Sequence, residues 1–95
     1  MGSPITALTE KTTGHGCFPP TVIIQGSPNV IVEFHPAGRL TDAAAPHCCF
    51  GCHGLQIGCG SSTVFINNLN AGRIGDCMTC GDTVATGKMS IIVGG

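Results

Sequence analysis

Tryptophan and tyrosine are missing from this 95-residue chain, and Phe18, Phe34, Phe50 and Phe65 are its only aromatic rings. A chain this short buries only roughly 60 to 65% of the surface its unfolded form exposes, and without large rings its core is thin. Small domains of this kind commonly add a metal or cross-links, so the cysteines are expected to be structural. Charge is scarce too, with four Lys and Arg against five Asp and Glu. A nearly neutral surface lacks the electrostatic term that dominates nucleic-acid affinity, which excludes DNA or RNA as a partner. So few charges, beside fifteen glycines, point instead to a surface covered by another protein.

Long hydrophobic runs are absent as well. No apolar segment approaches the roughly 20 residues needed to cross a bilayer, and the first ten residues have neither the basic region nor the apolar run of a secretory signal. The Met-Gly-x-x-x-Thr pattern of Met1 to Thr6 formally matches a myristoylation site, but it has no polybasic partner and is read as a chance match. No stable membrane association is expected. Nor does any segment keep apolar residues at i, i+3, i+4 and i+7 over a helix-length window, so the domain is expected to be almost all β.

What the chain does have is cysteine and histidine in one place. From His47 to His53, five of seven consecutive side chains (His47, Cys48, Cys49, Cys52 and His53) can bind a soft metal or react as thiols. Thiolate and neutral imidazole are ligands that tetrahedral Zn²⁺ accepts. Seven cysteines leave one thiol over from any complete disulfide framework, and the adjacency of Cys48 and Cys49 makes simple pairing awkward. The thiols are therefore expected to form in a reducing compartment, with metal favoured over disulfides.

The chain also repeats itself. Shifted by thirty-two residues, Pro4, Leu8, Thr9, Glu10 and His15 fall on Pro36, Leu40, Thr41, Asp42 and His47. A third copy begins thirty-four residues later, with Asn70-Ala-Gly-Arg73-Ile-Gly-Asp76 followed by Cys77 and Cys80. The apolar segments between them correspond too: Thr21 to Val32, Leu55 to Ile66 and, more loosely, Thr83 to Val93. Each is two β-branched runs broken by Gly and a small or polar residue, the pattern of a hairpin or tight strand-turn-strand. One single domain over residues 1–95 is expected, with repeats at about 4–35, 36–69 and 70–95. Three units in so short a chain are too few for a long solenoid, and closing around a pseudo-threefold axis brings equivalent positions together. His15, His47 and Cys80 then become three ligands at equivalent places, and His53 is the best candidate for a fourth from outside the symmetry.

Gly26-Ser-Pro-Asn-Val-Ile-Val32, Gly60-Ser-Ser-Thr-Val-Phe-Ile66, Pro36-Ala-Gly-Arg39, Ala71-Gly-Arg73-Ile-Gly-Asp76, Gly14-His15-Gly16, Cys52-His53-Gly54 and Cys80-Gly81 resemble, in order and spacing, the PAAR-repeat family. Thr41 stands where that family usually has Gly before Asp, and the cysteines exceed its usual count. The resemblance implies a small cone of short β-hairpins with pseudo-threefold repeats. Its point would be organised by a structural Zn²⁺, with iron also compatible, bound by three His and one Cys, here His15, His47, His53 and Cys80. Its base would cap a trimeric β-helical spike, one copy per trimer, in a contractile injection machine of the phage-tail or type VI secretion kind. The implied role is mechanical rather than enzymatic: a sharpened tip that helps pierce the target cell envelope. It would be made in the bacterial cytoplasm and carried on a virion tail tip or a secreted injection apparatus. With its first repeat starting near residue 4 and its last residues at Val93-Gly-Gly95, the chain reads as a plain tip with no toxin of its own.

The rival reading uses cysteines alone. Cys49-x-x-Cys52 and Cys77-x-x-Cys80 outline a four-cysteine zinc ribbon, a free-standing interaction module. It ranks second because it makes the equivalent placing of His15 and His47 a coincidence. A redox role for Cys77 and Cys80 lacks the helix N-terminus that lowers a thiol pKa, and no third residue is placed to orient a Cys-His nucleophile. Cys17, Cys48, Cys49, Cys52, Cys59 and Cys77 are expected to be small buried or half-buried residues. Glu10, Asp42 and Asp76 read as turn residues that accept backbone N–H groups, Arg39 and Arg73 as structural partners of backbone or of the nearby Asp, and His35 as facing solvent.

Overall fold

The computed structural model describes residues 2–95, so Met1 of the myristoylation-like pattern lies outside the described residues. Eight short strands and no helix occur among them. They form four antiparallel pairs: β1 (Ser3–Ile5) with β8 (Lys88–Val93), β2 (Ile31–Val32) with β3 (His35–Pro36), β4 (Ala43–Cys48) with β5 (Cys52–Gln56), and β6 (Phe65–Ile66) with β7 (Leu69–Asn70). The all-β expectation is met.

The pairs are tied together by backbone bonds that run in a ring. Thr6 N–H donates to Gly72 O, Gly72 to Gly38 O, and Gly38 back to Thr6 O, at 3.0, 2.9 and 2.9 Å. A second ring repeats the pattern one layer on, from Leu8 to Pro36, Leu40 to Asn70 and Ile74 to Pro4. These are equivalent positions of the three sequence copies, so the chain closes on itself around a pseudo-threefold axis. The axis is crowded: a Cβ on Gly38 would lie 2.7 Å from Thr6 Cγ2.

Each copy then turns the same way. Thr9, Thr41 and Gly75 all have positive φ, of 75°, 76° and 91°. Their N–H groups donate to Ile23, Ile57 and Val84, and those three residues return bonds to Glu10, Asp42 and Asp76. In two copies an arginine closes the turn. The Asp42 carboxylate accepts from the Arg39 backbone N–H, Nε and Nη2, each at 2.9 Å, and Asp76 does the same for Arg73 at 2.8, 3.1 and 3.0 Å. The first copy has Ala7 in place of the arginine, and Glu10 pairs instead with Lys88 at 2.7 Å. The structural reading of Arg39, Arg73, Asp42 and Asp76 from the sequence is borne out.

The buried apolar residues form two small cores. One contains Ile5, Ala7, Val32, Ala37, Ile66, Ala71 and Val93; the other contains Ile23, Ala44, Leu55, Ile57, Met78 and Val84, with Cys80 packed against it. Most of these residues are Ala, Val and Ile.

The apolar runs are strand-turn-strand rather than hairpins. Ser27 Oγ accepts the N–H groups of Asn29 and Val30, and Ser61 Oγ those of Thr63 and Val64. The chain therefore turns a corner at each serine instead of reversing. The second half of each run pairs with the next strand along the chain, β2 with β3 and β6 with β7. Their two-residue turns, Glu33-Phe34 (φ 45° and 69°) and Asn67-Asn68 (53° and 66°), are positive at both positions, as a type I′ turn requires. The third place is filled by β1 and β8, which pair across the chain ends.

Candidate metal centre

The longest hairpin, β4–β5, carries the site. His47 lies directly opposite His53, and Cys48 opposite Cys52, with the register shifting between Ala44 and His47. Pro46, which has no N–H to donate, sits in that irregular stretch, a position that proline tolerates. His15 reaches the same place from a tight turn in which His15 and Phe18 exchange backbone bonds of 2.8 and 3.0 Å. Cys80 comes from the third copy, in the turn that Gly81 closes by donating to Met78 O.

The four donor atoms of His15, His47, His53 and Cys80 all lie within 4.8 Å of one another. Nε2 of His53 is 3.4 Å from Nε2 of His15 and 2.6 Å from that of His47, and Cys80 Sγ is 3.8 Å from His47 Nε2. A tetrahedral zinc with ordinary bond lengths sets its ligand atoms about 3.3 to 3.7 Å apart; the His15–His53 and Cys80–His47 separations come close to that spacing, the His47–His53 separation is shorter, and the donor types are ones such an ion accepts. The sequence brought together the same four residues that the structure does.

Supporting groups fix the rings. His47 Nδ1–H donates to Pro19 O at 2.8 Å, which leaves the Nε2 lone pair facing the cluster. Phe18 lies against all three imidazoles, with centroid separations of 5.0, 5.0 and 4.2 Å to His15, His47 and His53. Loss of hydration and the neighbouring imidazoles of His47 and His15 push His53 below the usual histidine range, against the pull of Asp82. A neutral imidazole is the form that binds metal.

The remaining cysteines depart from expectation. Cys17 is bonded to Cys49, Cys48 to Cys52 and Cys59 to Cys77, leaving Cys80 as the free thiol. The expectation of reduced bystander thiols, with metal favoured over disulfides, is corrected. Adjacency proved no obstacle: Cys48 ends β4, Cys49 lies in the bend that follows, and the two turn to different partners. The four-cysteine ribbon falls with it, since Cys49, Cys52 and Cys77 have no thiolate to give. A signal for one bridge was present: Cys17 and Cys49 each stand two residues after a candidate ligand and are separated by 32 residues, the repeat shift itself.

Sequence reasoning missed Asp82. It is 1% exposed and lies two residues beyond Cys80. Its Oδ1 accepts the Thr13 hydroxyl at 2.6 Å and the Thr83 N–H at 2.8 Å. Burial pushes this carboxyl up, but the Thr12 and Thr13 hydroxyls and the Thr83 and Gly14 amides outweigh it and hold the group below the usual range. Only the Cys80-Gly81-Asp82 juxtaposition hinted at it. His35, expected to face solvent, is half-buried, and its Nδ1–H donates to Glu33 O.

Ringed backbone bonds around a pseudo-threefold axis, with a cluster of three His and one Cys fed by all three copies, define a small repeat domain closed on a metal-type centre. The chain belongs to the PAAR motif family, whose family model matches residues 11–86. It is also similar to two toxins of Pseudomonas aeruginosa. These are the NAD(P)(+) glycohydrolase toxin Tse6 of strain PAO1 and the (p)ppApp synthetase toxin Tas1 of strain UCBPP-PA14, each 34% identical over 96% of this chain. The chain spans about a fifth (21%) of the length of either relative.

Proposed function

We propose that this chain is a zinc-stabilised tip that caps the blunt end of a trimeric β-helical spike, one copy per trimer, in a contractile injection apparatus. The observation that carries the reading is the threefold ring of bonds combined with what each copy presents outward. Ile31, Phe65 and Ile92 occupy equivalent positions on β2, β6 and β8, next to the buried Val32, Ile66 and Val93, and are 56, 56 and 58% exposed. A monomer with three equivalent apolar strands matches a partner with true threefold symmetry, and it covers strand ends that would otherwise template aggregation.

His15, His47, His53 and Cys80 are assigned as the ligands of a structural Zn²⁺. All four positions of a tetrahedral ion are filled by protein, the mark of a structural rather than a catalytic site. The binding free energy of such an ion adds to folding free energy, which stiffens a domain with thin cores while it is driven through an envelope. The role is mechanical, not enzymatic. In the two toxin relatives the matching segment is a small share of a longer chain, which suits a tip that delivers what is joined to it. Three disulfides fit a protein that works outside the reducing cytoplasm.

The test is to mix the chain with a trimeric β-helical spike and measure the mass of the complex by light scattering. One copy per trimer is expected, and replacing Ile31, Phe65 and Ile92 together with Asp should abolish the complex. Three copies per trimer, or no complex under any condition, would sink the reading.

A further inference from the structure

Among the described residues Phe50 is the most exposed large apolar side chain, at 108%, and it stands in the turn of the longest hairpin, β4–β5. Its φ of 58° lies in the left-handed region, where a bulky residue is an outlier and Gly or Asn is the usual choice. Strained residues persist where their surroundings fix them, and they gather where a function uses them. The surroundings here are covalent. Cys48–Cys52 closes the five residues of the turn, with Cα atoms 4.0 Å apart, and Cys17–Cys49 ties the same turn to the segment that carries Phe18. Cys17, Pro19 and Pro20 of that segment are exposed, and Pro19 O accepts from the hairpin at His47 Nδ1.

The two segments are also free of charge. No Lys, Arg, Asp or Glu occurs in residues 12–32 or 43–72, the stretches that contain the tied segment and the hairpin. A protruding uncharged ring fits a medium that closes around it, which a fluid acyl layer does and a folded protein does only with a matching cavity. We propose that the β4–β5 turn is a lipid-contact point, with Phe50 entering the acyl region of an electrically neutral bilayer. The proposal deepens the reading of this chain as an envelope-piercing tip and rests on it. The hairpin is rooted in the core of Ala44 and Leu55, whereas the strands assigned to the spike flank Val32, Ile66 and Val93 of the other core. One ring gives a reversible contact rather than stable association. Phe34 marks the contrast. It is 98% exposed with φ 69°, but it lies beside Glu33, whose carboxylate accepts from the Ser90 hydroxyl and amide and stays charged. A bilayer that took Phe34 would have to take that charge as well.

The lack of Trp and Tyr makes Phe50→Trp a sole fluorescent reporter. With phosphatidylcholine vesicles in excess, its emission should shift to shorter wavelength and be quenched by phosphatidylcholine brominated on the acyl chains, at low and high salt alike. Phe34→Trp should do neither. Phe50→Asp should lower vesicle partition, read by flotation, about 10- to 100-fold, the loss expected when one aromatic ring no longer enters an apolar phase. It should unfold at a denaturant concentration no lower than the wild type, since Asp suits a positive φ, and it should still bind a trimeric spike with one copy per trimer. Unshifted emission in Phe50→Trp, an equal shift in Phe34→Trp, binding confined to anionic vesicles and lost in salt, or unchanged partition in Phe50→Asp would each overturn the proposal. So would a Phe50→Asp chain that no longer binds the spike, which would make Phe50 a spike contact. A wild-type chain that fails to bind the spike would instead overturn the tip reading itself, and the lipid measurements stand apart from it.

Discussion

Three equivalent turns, at Thr9, Thr41 and Gly75, hold the fold together, and only one of them carries the residue its backbone favours. All three have φ between 75° and 91°. A β-branched side chain there pushes its Cβ toward the carbonyl, at a cost of about 1 to 2 kcal/mol. Replacing Thr by Gly removes that strain and returns about 0.5 to 1 kcal/mol to the freedom of the unfolded chain. The net gain is about 0.5 to 1 kcal/mol per turn, because Thr9 and Thr41 are exposed and lose little contact. The double variant Thr9→Gly with Thr41→Gly should gain about 1 to 2 kcal/mol, raising Tm by about 4 to 16 °C for a domain of this size. Gly75 supplies the reverse control. A Cβ there meets nothing within 4 Å, so Gly75→Ala tests conformation without packing and should cost about 1 kcal/mol. Denaturant unfolding with the disulfides intact measures all of these. If the threonine replacements destabilise, or Gly75→Ala is neutral, the positive φ at these turns is not a source of strain and the reasoning fails.

Other outcomes follow from the same geometry. Replacing Cys17 and Cys49 together with Ser opens a bridge across 32 residues and should cost about 3 to 4 kcal/mol by chain entropy; denaturant titration against the wild type checks this, and no loss would mean that the bridge constrains little in the unfolded chain. His15→Ala should abolish stoichiometric zinc in elemental analysis, whereas Cys59→Ser with Cys77→Ser should retain it. Burial raises the Glu10 carboxyl, but the Lys88 and Thr86 hydrogen bonds and the Lys88 charge outweigh it and leave the group below its ordinary value of 4.5. Its contribution is thus complete above about pH 4.5 and lost as pH falls through the lower folded value. Lys88→Met should flatten that part of the stability profile, and an unchanged profile would count against the pair.

The periodic parts of the fold were legible because three copies impose the same demand. Pro4, Pro36 and Asn70, or Glu10, Asp42 and Asp76, could be aligned by eye, and the rings of backbone bonds fall on those alignments. The ligand cluster was legible in part for the same reason: His15 and His47 stand at equivalent positions, Cys80 falls one residue short of the third, and His53 lies outside the repeat. What broke the symmetry was not. The β4–β5 hairpin has no counterpart in the other copies, and its pairing of Cys48 with Cys52 depends on a register that shifts at the proline.

The disulfides and Asp82 were hidden by a shared physical cause. Each depends on side-chain direction rather than spacing. Cys48 and Cys49 are neighbours in sequence but bond to different partners, and Asp82 is an ordinary polar residue until burial leaves one oxygen bare. Both cluster around the same centre: Cys17 and Cys49 follow His15 and His47 by two residues, and Cys48 and Cys52 adjoin His47 and His53. Covalent bonds thus hold the segments that carry three of the four donors, while the fourth, Cys80, is positioned by its own turn and by Asp82 beyond it. In the proposed metal-binding role, a cluster whose segments are already clamped by covalent bonds would need little reorganisation to take up an ion.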